Sequence, residues 1–331
     1  MSDCHHALVD ESDSQYSAFP SRIQRYEKAH RRALDMASHI ESHVGTMKDK
    51  DRSNLVALLR DCGSYLVFRD YYTVGQIRLS AASFCRKHLV CPLCAVRRGA
   101  KALKAYSDRL TVVLSENPNL KPYLVTVTTK NGADLGERFD HYVRSMKRYT
   151  DQRREATKIK KHGRSSAPVE MNKALGGVSS IEIKRGSGSG LWHVHSHAVW
   201  LCEVPPDAIL LAQEWKAVTG DSHIVDVRPF SGNSMDDYLQ GFMEVFKYAV
   251  KFSSMGLADN LDAFQLLAGR RLVNSFGLFR GVVIPESMTD DLLDDLPYVE
   301  VVYRYLGGVG YSVEKVDGRP TNVGQMSDTV G

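Results

Sequence analysis

Apolar residues recur along the chain at two different periods, and each period predicts a different kind of element. Residues 21–60 and 95–114 carry apolar positions at helical spacing. Residues 123–129 alternate in the manner of a half-buried strand. Residues 179–184 and 193–201 read as two more strands, and the glycine-rich segment between them suits a hairpin connection. Residues 65–79 are richer in aromatic and β-branched residues, which favours short strands there as well.

Further elements follow the same two periods. Residues 134–161 predict one long polar helix or two shorter ones, and residues 207–218 return to helical spacing. Residues 223–227 predict a short strand, and Ser234 can cap a helix that runs to about Ser253. Helices and strands are interspersed without a regular βαβ alternation. We therefore expect an α+β fold rather than a doubly wound parallel sheet.

Composition narrows the class of protein. The chain has 331 residues, of which 43% are hydrophobic and 25% charged, as in globular proteins with a substantial core. This length predicts one large domain or two modest ones. No apolar run approaches the ~18 residues of a membrane span, and residues 1–20 lack the apolar region of a secretion signal. A cytoplasmic location is expected.

Basic residues cluster in one part of the chain. The overall charge is only +4, which permits a polyanionic partner without requiring one. Between residues 144 and 164, however, basic residues far outnumber Asp151 and Glu155. Such a run is either a solvated helix face or a phosphate-binding surface. The candidate DNA contacts are Arg148, Arg153, Arg154, Lys158, Lys160 and Lys161, together with Arg97 and Arg98 beside the cysteines discussed next.

Three of the six cysteines lie within ten residues. The candidate ligands of this segment, spaced at intervals of three, are Cys85, His88, Cys91 and Cys94. Zinc binds four Cys or His ligands in structural sites, so this spacing predicts a zinc knuckle. Buried free thiols beside a surface histidine are the alternative. The fourth ligand stays open, since His30 or Cys62 could replace His88.

Three histidines occupy every second position of one predicted strand. His193, His195 and His197 therefore share one face of the strand, with neighbours about 6.6 Å apart and the outer pair about 13 Å apart. Two of them can bind one ion, while a third ligand must come from elsewhere. Glu182 is well placed if the hairpin pairs as predicted. Such a set suits Mg²⁺, Mn²⁺, Zn²⁺ or non-haem iron, and histidines satisfied by the core are the alternative.

A predicted helix carries a second candidate group. Glu244 and Tyr248 stand four residues apart, on one helix face, and Lys247 and Lys251 repeat this relation on an adjoining face. An ordinary amphipathic helix with a surface pair explains the pattern equally. Tyrosine, with a pKa near 10, is a poor nucleophile unaided. A metal-bound phosphate and nearby lysines would enable it to attack.

Taken in order, these motifs resemble those of plasmid rolling-circle replication initiators, which are members of the HUH endonuclease superfamily. The resemblance covers roughly residues 85–252. Residues 123–129 look like the first family motif, residues 192–199 like the metal-binding histidine motif, and residues 244–251 like the nucleophile motif of the group with one tyrosine and one glutamate. The segment Cys-Pro-x-Cys-x-x-Arg-Arg at residues 91–98 looks like a cysteine element found upstream in many of these proteins.

The resemblance implies a fold and a division of the chain. A central antiparallel sheet flanked by helices, with a ferredoxin-like palm core, is expected. The implied segments are a disordered stretch at 1–20, a helical and mixed region at 21–80, a zinc-knuckle element with its following helix at 81–115, a nicking domain at 116–255 and a region without an assigned role at 256–331.

The resemblance also implies a mechanism. His195 and His197, with Glu182 or alternatively His193, would hold Mg²⁺ or Mn²⁺ at the scissile phosphate. Tyr248 would attack and leave a 5′-phosphotyrosyl link with a free 3′-OH primer. Glu244 would activate water at termination.

In the same scheme, Lys247 and Lys251 would hold the flanking phosphates. The expected partners are origin DNA, a host helicase and DNA polymerase, with a homodimer possible in principle. A non-catalytic zinc-dependent DNA-binding regulator and a single-strand transposase are the rival functions.

Overall fold

The structure is a computed structural model that describes residues 15–43, 47–162, 169–186, 188–232, 234–247 and 255–319. It is an α+β fold, which confirms the predicted class, and it divides into two compact units. The first unit comprises Met1–Arg97 and Glu286–Gly331, and the second comprises Arg98–Pro285. The five predicted segments stay a prediction, but residues 256–331 contribute to both units. Within the described residues, no helix is long and apolar enough to cross a membrane.

The helices follow the predicted periodicity closely. They are α1 (Gln15–Ser42), α2 (Asp49–Asp61), α3 (Pro92–Glu116), α4 (Leu135–Lys161), α5 (Ala208–Thr219), α6 (Met235–Lys247) and α7 (Leu257–Leu267), with a short 3₁₀ helix at Glu170–Lys173. Residues 134–161, predicted as one long helix or two shorter ones, contain the single helix α4. The helical pattern at residues 21–60 corresponds to two helices, α1 and α2. Of the segment predicted to be disordered, residues 1–14 lie outside the described part. The predicted end of the helix near Ser253 also lies outside it.

Nine strands form two antiparallel sheets in the described residues. They are β1 (Tyr65–Tyr71), β2 (Gln76–Ala82), β3 (Lys121–Thr128), β4 (Ala174–Arg185), β5 (Trp192–Cys202), β6 (Val225–Pro229), β7 (Val273–Gly277), β8 (Tyr298–Leu306) and β9 (Gly310–Arg319). The strands predicted at residues 123–129, 179–184, 193–201 and 223–227 are confirmed. The hairpin of β8 and β9 was not predicted.

The first unit is built on a four-stranded sheet with the order β2-β1-β8-β9. Leu66 and Phe68 of β1 are fully buried, as alternation along a half-buried strand requires. Helix α1 packs on this apolar face, where the ring of Phe19 meets Phe68 edge-on at 5.0 Å between centroids. Tyr26, about two helical turns further along α1, stacks on Phe68 with the ring centroids 6.5 Å apart. This unit also contains the cysteine segment.

The second unit is built on a five-stranded sheet with the order β6-β3-β5-β4-β7. Its centre is the β4–β5 hairpin, in which Glu182 lies directly opposite His195 and Ser180 opposite His197. Strand β5 is buried along most of its length because strands flank it on both sides. The predicted hairpin register is therefore the one observed, and it places the candidate metal ligands at the middle of the sheet.

Candidate metal centres and catalytic site

Glu182, His195 and His197 converge on one face of the second sheet. The carboxylate oxygen Oε2 of Glu182 lies 2.9 Å from Nε2 of His195 and 3.2 Å from Nε2 of His197. The ligand atoms of all three residues lie within 4.8 Å of one another. Cross-strand pairing accounts for this arrangement, because residues opposite each other in neighbouring strands present their side chains on the same face. Two imidazole nitrogens and one carboxylate oxygen are a donor set that can hold a divalent cation.

The protein environment prepares both imidazoles for ligation. Glu182 and His195 are only 2% and 4% exposed, so the charges at this site are shielded from bulk water. Burial lowers the pKa of His195 below its ordinary value, which favours the neutral form that binds metals. Thr126 of β3 lies opposite His197, and its Oγ1 is 2.9 Å from Nδ1 of that ring. This contact holds the second ring with Nε2 towards Glu182.

His193, the alternative ligand, occupies a different position. Its Nδ1 lies 2.6 Å from Oδ1 of Asn131, and its ring centroid is 4.6 Å from that of His195. Burial and the neighbouring His195 lower the pKa of His193 to about 4. The group whose ligand atoms meet in the described residues comprises Glu182, His195 and His197. The geometry thus groups the last two histidines of the strand with Glu182.

Four cysteines form the second candidate metal centre, in the first unit. The Sγ of Cys62 lies 3.4 Å from that of Cys91 and 3.6 Å from that of Cys94, and Cys85 lies 3.6 Å from Cys94. A tetrahedron with Zn–S bonds of 2.3 Å has edges of about 3.8 Å, close to these separations. All four cysteines are buried. The cluster therefore has the ligands and nearly the dimensions of a structural zinc site.

The fourth position of this cluster corrects the predicted ligand set. Cys62, at the end of α2, takes the place of His88. His88 is exposed, because it lies in the turn that returns the chain to Cys91. His30 contacts the backbone instead, with its Nδ1 2.6 Å from the carbonyl oxygen of Cys62. The sequence offered Cys62 only as an alternative, and 22 residues of strand and turn lie between it and Cys85.

Arg97, one of the predicted DNA contacts, is buried instead. It is 6% exposed, its Nη2 lies 2.5 Å from Oδ1 of Asp290, and its Nε donates to the carbonyl oxygen of Met288 at 2.6 Å. Arg22 reaches the other oxygen of the same carboxylate at 2.5 Å. A guanidinium enclosed in such a network cannot reach a DNA phosphate. This prediction was wrong. The neighbouring Arg98 is half-buried and donates to the carbonyl oxygen of Pro285 at 2.8 Å.

The basic residues of α4 differ in their surroundings. Arg148, Lys158 and Lys161 are exposed. Arg154 is also exposed but lies 3.3 Å from Asp151. Arg153 is half-buried and donates to the carbonyl oxygens of Met171 and Ala174. The side chain of Lys160 lies outside the described part of the chain. The exposed members present positive charge along one helix.

The predicted nucleophile follows the last described residue of α6. Tyr248 and Lys251 lie outside the described residues, and so do the side chains of Glu244 and Lys247. The helix begins as predicted, with the amide of Asp237 donating to Oγ of Ser234 at 3.1 Å. Phe242 of α6 is fully buried, and the helix packs against β4 and β5, the strands that carry the metal ligands.

Comparison with known proteins identifies relatives across most of the chain. A family model described as "Replication protein" matches residues 76–302. A protein named "Protein rep" from Streptococcus pneumoniae serotype 2 (strain D39 / NCTC 7466) is 24% identical over 246 residues, covering 70% of this chain and 72% of the relative.

Two proteins of the same name from Bacillus species are similar to the chain as well. The one from Bacillus sp is 25% identical over 280 residues, covering 75% of this chain and 85% of the relative. The one from Bacillus amyloliquefaciens is 25% identical over 303 residues, covering 82% and 84%. No solved structure matches the chain. The matched region includes both candidate metal centres apart from Cys62.

Proposed function

Because the chain belongs to the replication protein family, we propose that it initiates plasmid replication in the cytoplasm by cutting one strand of DNA at the double-strand origin. The observation that carries this proposal is the group of Glu182, His195 and His197 at the middle of the second sheet. Two imidazoles and a carboxylate within ligand distance suit Mg²⁺ or Mn²⁺. When bound there, such an ion would polarise a phosphate oxygen and stabilise the charge that develops as the phosphodiester bond breaks.

Tyr248 supplies the nucleophile in this proposal. The packing of α6 against β4 and β5 supports it, because Tyr248 directly follows that helix. The phenolic oxygen forms a bond to phosphorus, and the bond from phosphorus to the 3′ oxygen breaks. The proton that the phenol loses is balanced by the proton that the 3′ oxygen gains. The products are a 5′-phosphotyrosyl link and a 3′-OH end, which a host polymerase can extend after a host helicase separates the strands.

The residues around Tyr248 take the remaining roles. Glu244, one helical turn earlier, activates the water that releases the protein at termination, as the i and i+4 spacing permits. Lys247 and Lys251 neutralise flanking phosphates. Rejoining of the strand needs no nucleotide cofactor, because the energy of the phosphodiester bond is retained in the phosphotyrosyl link.

The four-cysteine cluster binds Zn²⁺ in this proposal and contributes structure rather than catalysis. Its sulfurs are buried and mutually close, which leaves no position for a water ligand of the kind that catalytic zinc requires. The exposed cations of α4, Arg148, Arg154, Lys158 and Lys161, contact DNA phosphates. These contacts would position the origin without reading its sequence.

The test is incubation of the full chain with supercoiled origin DNA and Mn²⁺ or Mg²⁺, followed by a denaturing gel. We expect nicked DNA and a covalent protein–DNA adduct from the natural chain, and neither product from Tyr248→Phe, which should retain binding. Tyr238→Phe, on the same helix, is the matched control and should give the adduct. If binding to origin DNA depends on zinc but no strand is ever cut, the protein is a zinc-dependent DNA-binding regulator instead.

A further inference from the structure

A cavity of about 680 Å³ lies in the second unit, between its sheet and α4. Ser196 and Ala198 of β5 line it. They alternate with His195 and His197, so the cavity opens on the face of the sheet opposite to the metal ligands. Its volume falls within the ~300–1,000 Å³ of typical ligand sites. The cavity and the candidate catalytic group are therefore separate features of one sheet.

The walls of the cavity suit a planar aromatic ligand. Phe276 contributes partly exposed aromatic surface, Trp200 and Tyr142 lie in the wall at only 4% and 2% exposure, and Ser179 and Asn274 contribute polar groups. Residues 179 and 274 are cross-strand partners of β4 and β7, so their side chains stand together on the cavity face. Flat apolar walls with a few polar groups at one edge can hold a nucleobase, by stacking and by hydrogen bonds to its edge.

Guanidinium groups outnumber carboxylates at the same cavity, where Asp151 is the acidic residue of the lining. Arg271 and Arg280 line it and are exposed, and neither forms an ion pair with any carboxylate in the described ranges. Arg153 lines it too, with its guanidinium carbon 4.6 Å from the ring centroid of Phe276. Burial is the largest cause that lowers the pKa of Arg153, and the positive charges of Arg154 and Arg280 also lower this pKa. Like charges that converge in this way favour a bound anion.

The charge continues beyond the cavity along α4. Arg148, Lys158 and Lys161 are exposed there. Residues 148–161 span about 20 Å of helix at 1.5 Å per residue. A path of this length exceeds a single nucleotide and suits a chain of phosphates. The cavity thus provides one base-sized apolar site at the side of an extended basic surface.

We propose that this cavity binds one base of a single-stranded DNA segment, while Arg271 and Arg280 hold the adjoining phosphates. The strand then follows the exposed cations of α4. This inference rests on the proposed function, because it takes DNA as the partner, but it assigns a second single-strand site on the opposite face of the sheet. Such a site would hold one strand apart from the strand that is cut.

The test measures binding of a fluorescein-labelled thymidine oligonucleotide, without origin sequence, to the full chain by anisotropy at several salt concentrations. Arg271→Ala/Arg280→Ala should lower the slope of log affinity against log salt by about 1.4, since each phosphate contact to a single strand contributes about 0.7. Arg52→Ala/Arg60→Ala removes two arginines from α2 as the matched control and should leave the slope unchanged.

Two further variants test the base site. Phe276→Ala should weaken binding about 5- to 160-fold, the usual effect of losing one stacked base. Asn274→Trp, which fills the cavity from the edge strand β7, should weaken binding without removing a charge. Circular dichroism of each variant verifies the fold, and Asn274→Trp keeps the test decisive if Phe276→Ala does not fold.

Equal affinities and slopes in the natural chain, the double variant and Asn274→Trp would overturn the inference. If free thymidine triphosphate binds the natural chain but these variants bind the oligonucleotide as the natural chain does, the assignment of a DNA strand to the cavity is overturned. Cutting is scored separately on origin DNA. If the natural chain and its variants bind the oligonucleotide as expected but origin DNA is never cut, only the proposed function is refuted. If the natural chain cuts origin DNA but the variants bind the oligonucleotide as tightly as it does, only the cavity site is refuted.

Discussion

Thr126 is the residue through which the role of the metal group can be tested most directly. Its Oγ1 lies 2.9 Å from Nδ1 of His197, the ring whose other nitrogen faces Glu182. When Oγ1 of Thr126 accepts a hydrogen bond from Nδ1–H, Nε2 keeps its lone pair for an ion, and the ring cannot rotate away. Thr126→Val keeps the shape of the side chain and removes this hydrogen bond.

The expected magnitude follows from this single contact. Loss of the hydrogen-bond partner of a metal-bound histidine costs about 10- to 100-fold in metal affinity. This corresponds to about 1.4–2.7 kcal/mol of binding free energy. Because the hydroxyl lies at the sheet surface and not in the apolar core, the free energy of unfolding should change by less than this amount.

Strand β3 supplies a matched control. Thr128 lies two residues along the same strand and opposite His195, but its Oγ1 donates to the carbonyl oxygen of Ile224 at 3.3 Å. Thr128→Val therefore makes the same chemical change on the same face but removes a hydrogen bond to a backbone carbonyl instead of one to an imidazole. Binding of Mn²⁺ to each full chain is measured by electron paramagnetic resonance, and unfolding is measured with denaturant.

We expect weaker Mn²⁺ binding for Thr126→Val than for Thr128→Val. Equal Mn²⁺ affinities in the two variants would show that the Thr126 contact does not orient His197 for an ion. If both variants lose the same Mn²⁺ affinity and the same free energy of unfolding relative to the natural chain, the cause is a damaged sheet instead. Either result refutes the argument.

Three other predictions follow from the described contacts and the proposed roles. The pKa of Asp290 is lowered to about 2, so its carboxylate should contribute about 2 kcal/mol of stability above pH 4, lost as the pH falls towards 2. Denaturant midpoints at pH 7 should therefore fall for Asp290→Asn but hardly for the exposed Asp108→Asn, and the difference should shrink in acid. Cys62→Ser should lower the melting temperature and the zinc content measured by mass spectrometry, whereas Cys202→Ser, outside the cluster, should keep its zinc. Equal zinc content in the two variants would contradict a zinc site at the four cysteines. Glu244→Ala should nick origin DNA normally but leave unreleased adducts, and an unchanged product pattern on a denaturing gel would count against its role.

Local patterns predicted the centre of the second unit well. The alternation of His193, His195 and His197 identified the face of β5, and the short glycine-rich connection to β4 placed Glu182 opposite the histidines. Both inferences use neighbours in sequence, for which strand geometry leaves few choices. The α+β class followed from the same periods.

Contacts between distant segments could not be predicted in this way. Arg97 follows the predicted zinc knuckle, where an arginine is a reasonable candidate for a DNA contact. Its actual partner, Asp290, lies 193 residues away in the sequence, so no local pattern indicates the ion pair. Cys62 displaces His88 because α2 ends beside the cysteine segment, and spacing alone gives no information about that. Strand β8 pairs with β1 across most of the chain length, and β9 pairs with β8, so their aromatic and β-branched residues offered no partner to recognise.

The pairing of β1 with β8 also affects the order in which the protein can form on the ribosome. Strand β8 is synthesised about 230 residues after β1, which at ~5–20 residues per second means a delay of about 10–45 s. All strands of the second sheet emerge within that interval, so its hairpins can pair while β1 and β2 still wait for β8. Early release of the nascent polypeptide before residue 298 would leave β1 as an open, aggregation-prone edge. Premature stop codons late in the reading frame should therefore damage the amino-terminal unit first.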